Sequence, residues 1–204
     1  MEIVLATKNS DKIRELRKIL ADPGIKLLSR FDYPGWLSAV EDDQTLAENA
    51  IKKAKAMLKF AGKPSLADDS GLFVDALGGL PGVRSSRYAG EGSSYAENNK
   101  KLLESLHRIP TNKRKAKFRC VAALVLPDGK TYTTEGTCEG IIIEKLRGTS
   151  GFGYDPLFLI PEYGKTFAEL GQEIKNKISH RAIAFSKMKK LIQQIAPAPI
   201  VQGG

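Results

Sequence analysis

The sequence predicts an α/β fold, in one large domain or two lobes, and three observations carry that prediction. Apolar runs with β-branched members, Glu2-Ile3-Val4-Leu5-Ala6 first among them, alternate with amphipathic stretches that have capping residues at their starts. No internal repeat is present, and no linker composition divides the chain into independent units. With 204 residues, 42% hydrophobic and 27% charged, the chain is long enough for a substantial core and ordinary in composition for a globular protein.

Glu2 to Ala6 suits a strand buried on both faces. The polar Thr7-Lys8-Asn9-Ser10 follows, then a helix with Ile13, Leu16, Ile19 and Leu20 on one face, capped by Asn9 or Ser10, with Asp11 in its first turn. Ile25 to Leu28 is a second short strand, followed by the irregular Tyr33-Pro34-Gly35-Trp36 and the acidic run Glu41-Asp42-Asp43. Thr45 and Glu48 fit a capping box opening a helix that turns Ala47, Ala50, Ile51, Ala54 and Leu58 inward and ends near Gly62. On it Glu48 and Lys52 form an i,i+4 pair, and Lys53, Lys55 and Lys59 read as a solvated face. Pro64 to Ala67 reads as a short strand that stops at Asp68-Asp69, where Ser70-Gly71 turns the backbone before Leu72-Phe73-Val74.

Beyond a glycine-rich loop, Glu97 to Arg108 reads as a further amphipathic helix. Phe118 to Leu126 is a central strand, hairpinned through Pro127-Asp128-Gly129 to Thr131–Glu139, and Gly140-Ile141-Ile142-Ile143 continues as strand. Thr166 and Glu169 form another possible capping box, and Ser179-His180-Arg181 opens the last helix, with Ala184, Met188, Leu191 and Ile195 on one face. Residues 196–204, with two prolines and two glycines, are expected to be a frayed, disordered tail.

Four stretches carry chemistry. A strand–polar loop–helix start aims backbone N–H groups at whatever sits above the strand, which suits phosphate, and Lys8 and Lys12 add charge there. The alternative is an ordinary capped helix with surface lysines. Adjacent Asp68 and Asp69 repel one another and call for a cation, a hard divalent ion being the usual solution; a solvated Asp-Asp-Ser-Gly turn is the plain alternative. In Gly151-Phe152-Gly153-Tyr154-Asp155-Pro156 the glycines let backbone approach a flat ligand while Phe152 or Tyr154 offers a ring, or else the aromatic plugs a loop. His180 and Arg181 put positive character at a helix start, an unfavourable placement unless an anion or carbonyl is bound there.

In this order, the pieces Thr7-Lys8-Asn9-x-x-Lys12-x-x-Glu15, Thr45-x-x-Glu48-Asn49-Ala50, Ala67-Asp68-Asp69-Ser70-Gly71-Leu72, Gly151-Phe152-Gly153-Tyr154-Asp155-Pro156 and Ser179-His180-Arg181 resemble the inosine triphosphate pyrophosphatase family, from residue 3 to about residue 192. The resemblance implies an elongated mixed central sheet with helices on both sides, forming two lobes around a nucleotide cleft in one domain over residues 1–195. It implies hydrolysis of deaminated purine nucleoside triphosphates (ITP, dITP, XTP) to the monophosphate and pyrophosphate, with Mg²⁺ as cofactor and a homodimeric state. Thr7, Lys8, Asn9, Ser10, Asp11 and Lys12 are then expected on the triphosphate, with Lys52 and Ser70 also touching substrate. Phe152, Gly153, Tyr154, Asp155, Lys175, His180 and Arg181 are expected around base and sugar. Glu41 and Asp69 would serve the metal together with Asp68, and Asp69 would accept the proton.

The net charge of +9 favours an anionic partner without choosing one. A basic nucleic-acid-binding protein would explain the charge but neither the acidic pair nor the Gly-Phe-Gly loop, and the basic run Lys113-Arg114-Lys115-Ala116-Lys117 lacks interleaved aromatics and reads as a solvated loop. A pyrophosphatase for other modified nucleotides would differ only in its base contacts. No apolar run reaches the length of a membrane span and no signal-peptide pattern is present, so a cytoplasmic protein with reduced Cys120 and Cys138 is expected, without membrane or nucleic-acid partners.

Overall fold

The computed structural model describes residues 1–36 and 44–195, so the acidic run at 41–43 and the tail beyond 195 lie outside the described residues. β1 (Glu2–Leu5) runs into α1 (Ser10–Ile19), and β2 (Lys26–Leu28) returns beside β1 in parallel. α2 (Leu46–Ala61) carries the chain to β3 (Ser65–Val74), parallel to β1 on its other side. From β3 onward pairing is antiparallel: β4 (Pro81–Gly82) lies off the main path, while β5 (Lys115–Val125), β6 (Thr131–Ile142), β7 (Phe158–Ile160) and β8 (Lys165–Thr166) extend the sheet in order. α3 (Tyr95–Leu106) follows β4, and α4 (Phe167–Ile178) and α5 (His180–Ile195) close the described chain. The result is the expected α/β class, with a mixed sheet flanked by helices.

β5 shows how the layers form. Its alternate residues Cys120, Ala122 and Leu124 pack toward α1 and α5, while Val121, Ala123 and Val125 pack toward α2. A strand buried on both faces needs this unbroken apolar run. Toward its start, Phe118 joins a third cluster built from Leu102 and Leu106 of α3, Phe158 of β7 and Phe167 of α4. Each fully buried side chain of this size contributes about 1.5–3 kcal/mol. The core therefore has three clusters, one under α1 and α5, one under α2 on the other face and one under α3 and α4, all anchored on β5.

Several expectations are corrected. β3 does not stop at the acidic pair but runs unbroken through Asp68, Asp69, Ser70 and Gly71, each paired with β5. β6 runs unbroken from Thr131 to Ile142, so the strand continues through Gly140 as expected. α3 starts at Tyr95, because Ser94 and Glu97 form a capping box that was not anticipated. Arg114 of the basic run is buried, its Nε donating to the Ile109 carbonyl at 2.7 Å, so that run is not wholly solvated. Both cysteines are free thiols, Cys120 fully buried. Among the described residues no helix is long and apolar enough to cross a membrane.

Candidate active site

A cavity is lined by residues of the α1 start, α2, β3, α3, β5, the glycine-rich loop, α4 and α5. At one end is the start of α1. Asn9 caps it, its Oδ1 accepting from the N–H groups of Asp11 (2.9 Å) and Lys12 (3.1 Å). Thr7, Lys8, Asn9 and Lys12 line the cavity. Ser10 and Asp11 do not; Asp11 is bound instead to Arg14 one turn on.

The acidic pair sits in mid-strand, so its two carboxylates point to opposite faces. Asp68 faces α1 and α5, where its Oδ2 meets Lys12 Nζ at 3.0 Å and Arg181 Nη2 at 3.2 Å. Burial pushes the Asp68 carboxyl up, but Lys12, Arg181 and Lys53 together more than offset this and hold it far below the usual range. Asp69 faces α2, where Lys53 Nζ lies 3.1 Å from its Oδ1, and it lines the cavity. Two expectations change here. The carboxylates do not jointly face one ion: Asp68 is absent from the lining and is balanced by side-chain cations. On α2 the cavity lysine is the buried Lys53 rather than Lys52, and Lys53 is not part of a solvated face.

The other end is built from the glycine-rich loop and the start of α5. Asp155 Oδ2 accepts from the Phe152 N–H (2.9 Å) and from Lys175 Nζ (2.5 Å), which pins the loop. Gly151 is obligatory, because its φ is +81° and a Cβ there would lie 2.1 Å from Asp155 Oδ2. Tyr154 also lines the cavity but is buried, with its hydroxyl donating to the Ser85 carbonyl at 2.8 Å, so Phe152 is the more open of the loop's two rings. Lys175 also meets Glu15 at 2.9 Å and lies 4.6 Å from the centre of the Phe152 ring.

Arg181 is nearly sequestered. Its Nη1 donates to Glu15 (2.7 Å), its Nε to Asp68 (3.3 Å), and its Nη2 to Asp68 (3.2 Å) and Ser70 (3.2 Å). Burial opposes its charge, but Asp68 and Glu15 keep it firmly protonated. Burial likewise pushes Glu15 up, yet Arg181 and Lys175 hold it below its ordinary value. His180 stacks on Phe118, with centroids 4.7 Å apart and planes at 13°. Burial and then the nearby Arg181 and Lys175 charges drive its pKa well down, so the ring is neutral at pH 7 and its Nδ1 has no hydrogen-bond partner among the described residues. This helix start rests on the sheet through Gly136 of β6, where a Cβ would lie 2.1 Å from the His180 carbonyl oxygen.

The cavity thus gathers Thr7, Lys8, Asn9, Lys12, Asp69, Ser70, Phe152, Gly153, Tyr154, Asp155, Lys175, His180 and Arg181, and leaves out Ser10, Asp11, Lys52 and Asp68. Glu41 lies outside the described residues. Lining residues not anticipated include Lys53, Ser85, Tyr95, Asn98 and Phe118. Lys53 had a readable signal: with Ala50, Ala54 and Met57 it occupies the i, i+3, i+4, i+7 stripe of α2 that faces the sheet. Among the described residues no three His, Cys, Asp or Glu side chains cluster to hold a metal. One cavity carboxylate, Asp69, still fits a hard ion that takes one or two carboxylates and completes its shell with water and substrate phosphate.

Residues 3–191 match the model of the Ham1 family. The chain is 50% identical over 195 residues to a dITP/XTP pyrophosphatase of Desulforamulus reducens, covering 96% of this chain and 97% of that one. A dITP/XTP pyrophosphatase of Geobacter sulfurreducens is also 50% identical, over 92% of this chain and 94% of its own. Among solved structures, a HAM1 protein from Coxiella burnetii superposes with a TM-score of 0.86 at 41% identity, covering 95% of this chain and 99% of that one.

Proposed function

The chain belongs to the Ham1 family, and from that membership and the cleft we propose that it hydrolyses deaminated purine nucleoside triphosphates, dITP and XTP among them, to the monophosphate and pyrophosphate. One observation carries the reading. A single cavity is lined at once by the Asn9-capped start of α1, by the Asp69–Lys53 pair, and by Phe152, His180 and Arg181.

The positive end of the α1 dipole, with Lys8, Lys12 and Lys53, suits the triphosphate. Asp69 is the cavity carboxylate that can hold the attacking water and accept its proton at a carboxylate oxygen. Mg²⁺ is the cofactor of this reading; Asp69, with Glu41 and the substrate phosphates, would hold it, and when bound it would supply neutralisation of phosphate charge. At the other end Phe152 offers a face to the base. The engaged N–H groups of Arg181 leave one on Nη1, and that donor together with the neutral His180 ring suits the 6-carbonyl of hypoxanthine or xanthine. Adenine would bring an amino donor to the same place, and a site built for one partner rejects the other by ~10⁴-fold when its polar groups are left unpaired.

The test is pyrophosphate release from dITP, XTP, ATP and dTTP with Mg²⁺. The deaminated purines should turn over far faster than ATP or dTTP, and chelation with EDTA should abolish release. Equal turnover of ATP would remove the base-reading role of this end of the cleft. The reading extends to a cytoplasmic homodimer, as the family resemblance implies; sedimentation velocity at micromolar concentration distinguishes one copy from two.

A further inference from the structure

We propose that Tyr95 is a further substrate-contacting residue, one whose ring covers the sugar of the bound nucleotide between its base and its phosphates. The proposal rests on the reading of the cleft given above. Tyr95 is the first residue of α3 and lines the cavity while remaining 44% exposed. It touches both ends of the cleft. Its hydroxyl accepts from Asn9 Nδ2 at 3.2 Å, and its ring centre lies 5.9 Å from that of Phe152, the planes tilted by 37°.

The Asn9 contact has a defined sense. Oδ1 of Asn9 is committed to the N–H groups of Asp11 and Lys12, so Nδ2 must face away from the helix, toward Tyr95. Because Asn9 is the donor, the phenol keeps its own proton for another acceptor. With phosphates at the α1 start and the base at Phe152, the part of a nucleotide lying between those two residues is the sugar. Tyr95 offers it an apolar ring face and one O–H donor.

The experiment compares wild type with Tyr95→Ala and Tyr95→Phe, using KM and kcat for dITP, the Kd of IMP by calorimetry, and inhibition by inorganic tripolyphosphate, which has neither sugar nor base. Loss of an aromatic contact of this kind should raise KM and the IMP Kd of Tyr95→Ala about tenfold, with kcat within about twofold. Tyr95→Phe, which keeps the ring, should stay within about threefold of wild type. Tripolyphosphate inhibition should be the same in all three. An unchanged IMP Kd in Tyr95→Ala overturns the proposal, as does tripolyphosphate inhibition weakened by the same factor, which would assign Tyr95 to the phosphate end through Asn9. If wild type releases no pyrophosphate from dITP, the proposed reaction fails while the IMP Kd values still decide the role of Tyr95.

Discussion

Asp68 and Asp69 adjoin in the chain yet meet different surroundings, because a strand turns successive side chains to opposite faces. Asp69 shares the cavity with Lys53; Asp68 lies behind it, holding Lys12 and Arg181. Their amides should therefore fail differently. Asp69→Asn removes the proposed proton acceptor, and kcat for dITP should drop by about two orders of magnitude or more, in protein whose circular dichroism shows it folded. Near-normal turnover would take Asp69 out of the mechanism. Asp68→Asn leaves the buried Arg181 and the half-buried Lys12 short of a counter-charge, and loss of a buried partner of this kind typically costs about 3–5 kcal/mol and should appear as a lowered urea midpoint. The residue types at both positions were legible in the sequence. Their division of labour was not, since it depends on the strand continuing where two acids and a Ser-Gly pair suggested a turn.

At the scale of elements, the site depends on where helices begin. The capping residues of α1, α2 and α4 were readable, and those helices start where Asn9, Thr45 and Thr166 place them. The sheet strands that follow apolar runs were readable for the same local reason. What could not be read is how closely the start of α5 approaches β6. Gly136 sits in a strand of otherwise polar alternation, and only the packed structure brings the His180 carbonyl oxygen within 2.1 Å of its absent side chain. The other atoms within reach are the Ala184 nitrogen at 2.5 Å and the Ile183 Cβ at 2.9 Å, so backbone must move to admit a methyl group. Gly136→Ala should destabilise the fold by about 1–3 kcal/mol in urea unfolding. It should also lower kcat/KM for dITP, because His180 and Arg181 shift with the helix start. Unchanged kinetics with lowered stability would mean that the cleft tolerates the displacement. α4 has a similar hidden feature: the helix is interrupted at Gly171, whose φ is +73°, and Lys175 beyond the break reaches both Glu15 and Asp155.

Across the whole molecule, α1, β3, the glycine-rich loop, α4 and α5 are tied by one buried network in which Lys12, Lys175 and Arg181 meet Glu15, Asp68 and Asp155. The neutral His180 lies against it. These groups set how stability depends on pH, and the signs differ among them. His180 has a folded pKa well below its ordinary 6.5, so the native state binds fewer protons and this contribution, complete above about pH 6.5, is lost as pH falls below it. Glu15 and Asp68 are also held below their ordinary 4.5 and 3.8, and their contributions are lost only in more acidic solution. Asp155 works the other way, since burial outweighs Lys175 and raises its carboxyl, favouring the folded state as pH falls. The urea midpoint should therefore be level between about pH 7 and 8, decline from about pH 6.5 to 5, and fall further below about pH 4.5. A His180→Asn variant should lose the upper decline and keep the lower one. Because the network is buried, 1 M salt should barely change the acid limb, whereas pairs at the surface would be screened. A wild-type midpoint that stays level down to pH 5, or a His180→Asn curve that follows it throughout, would show that His180 does not titrate against the fold.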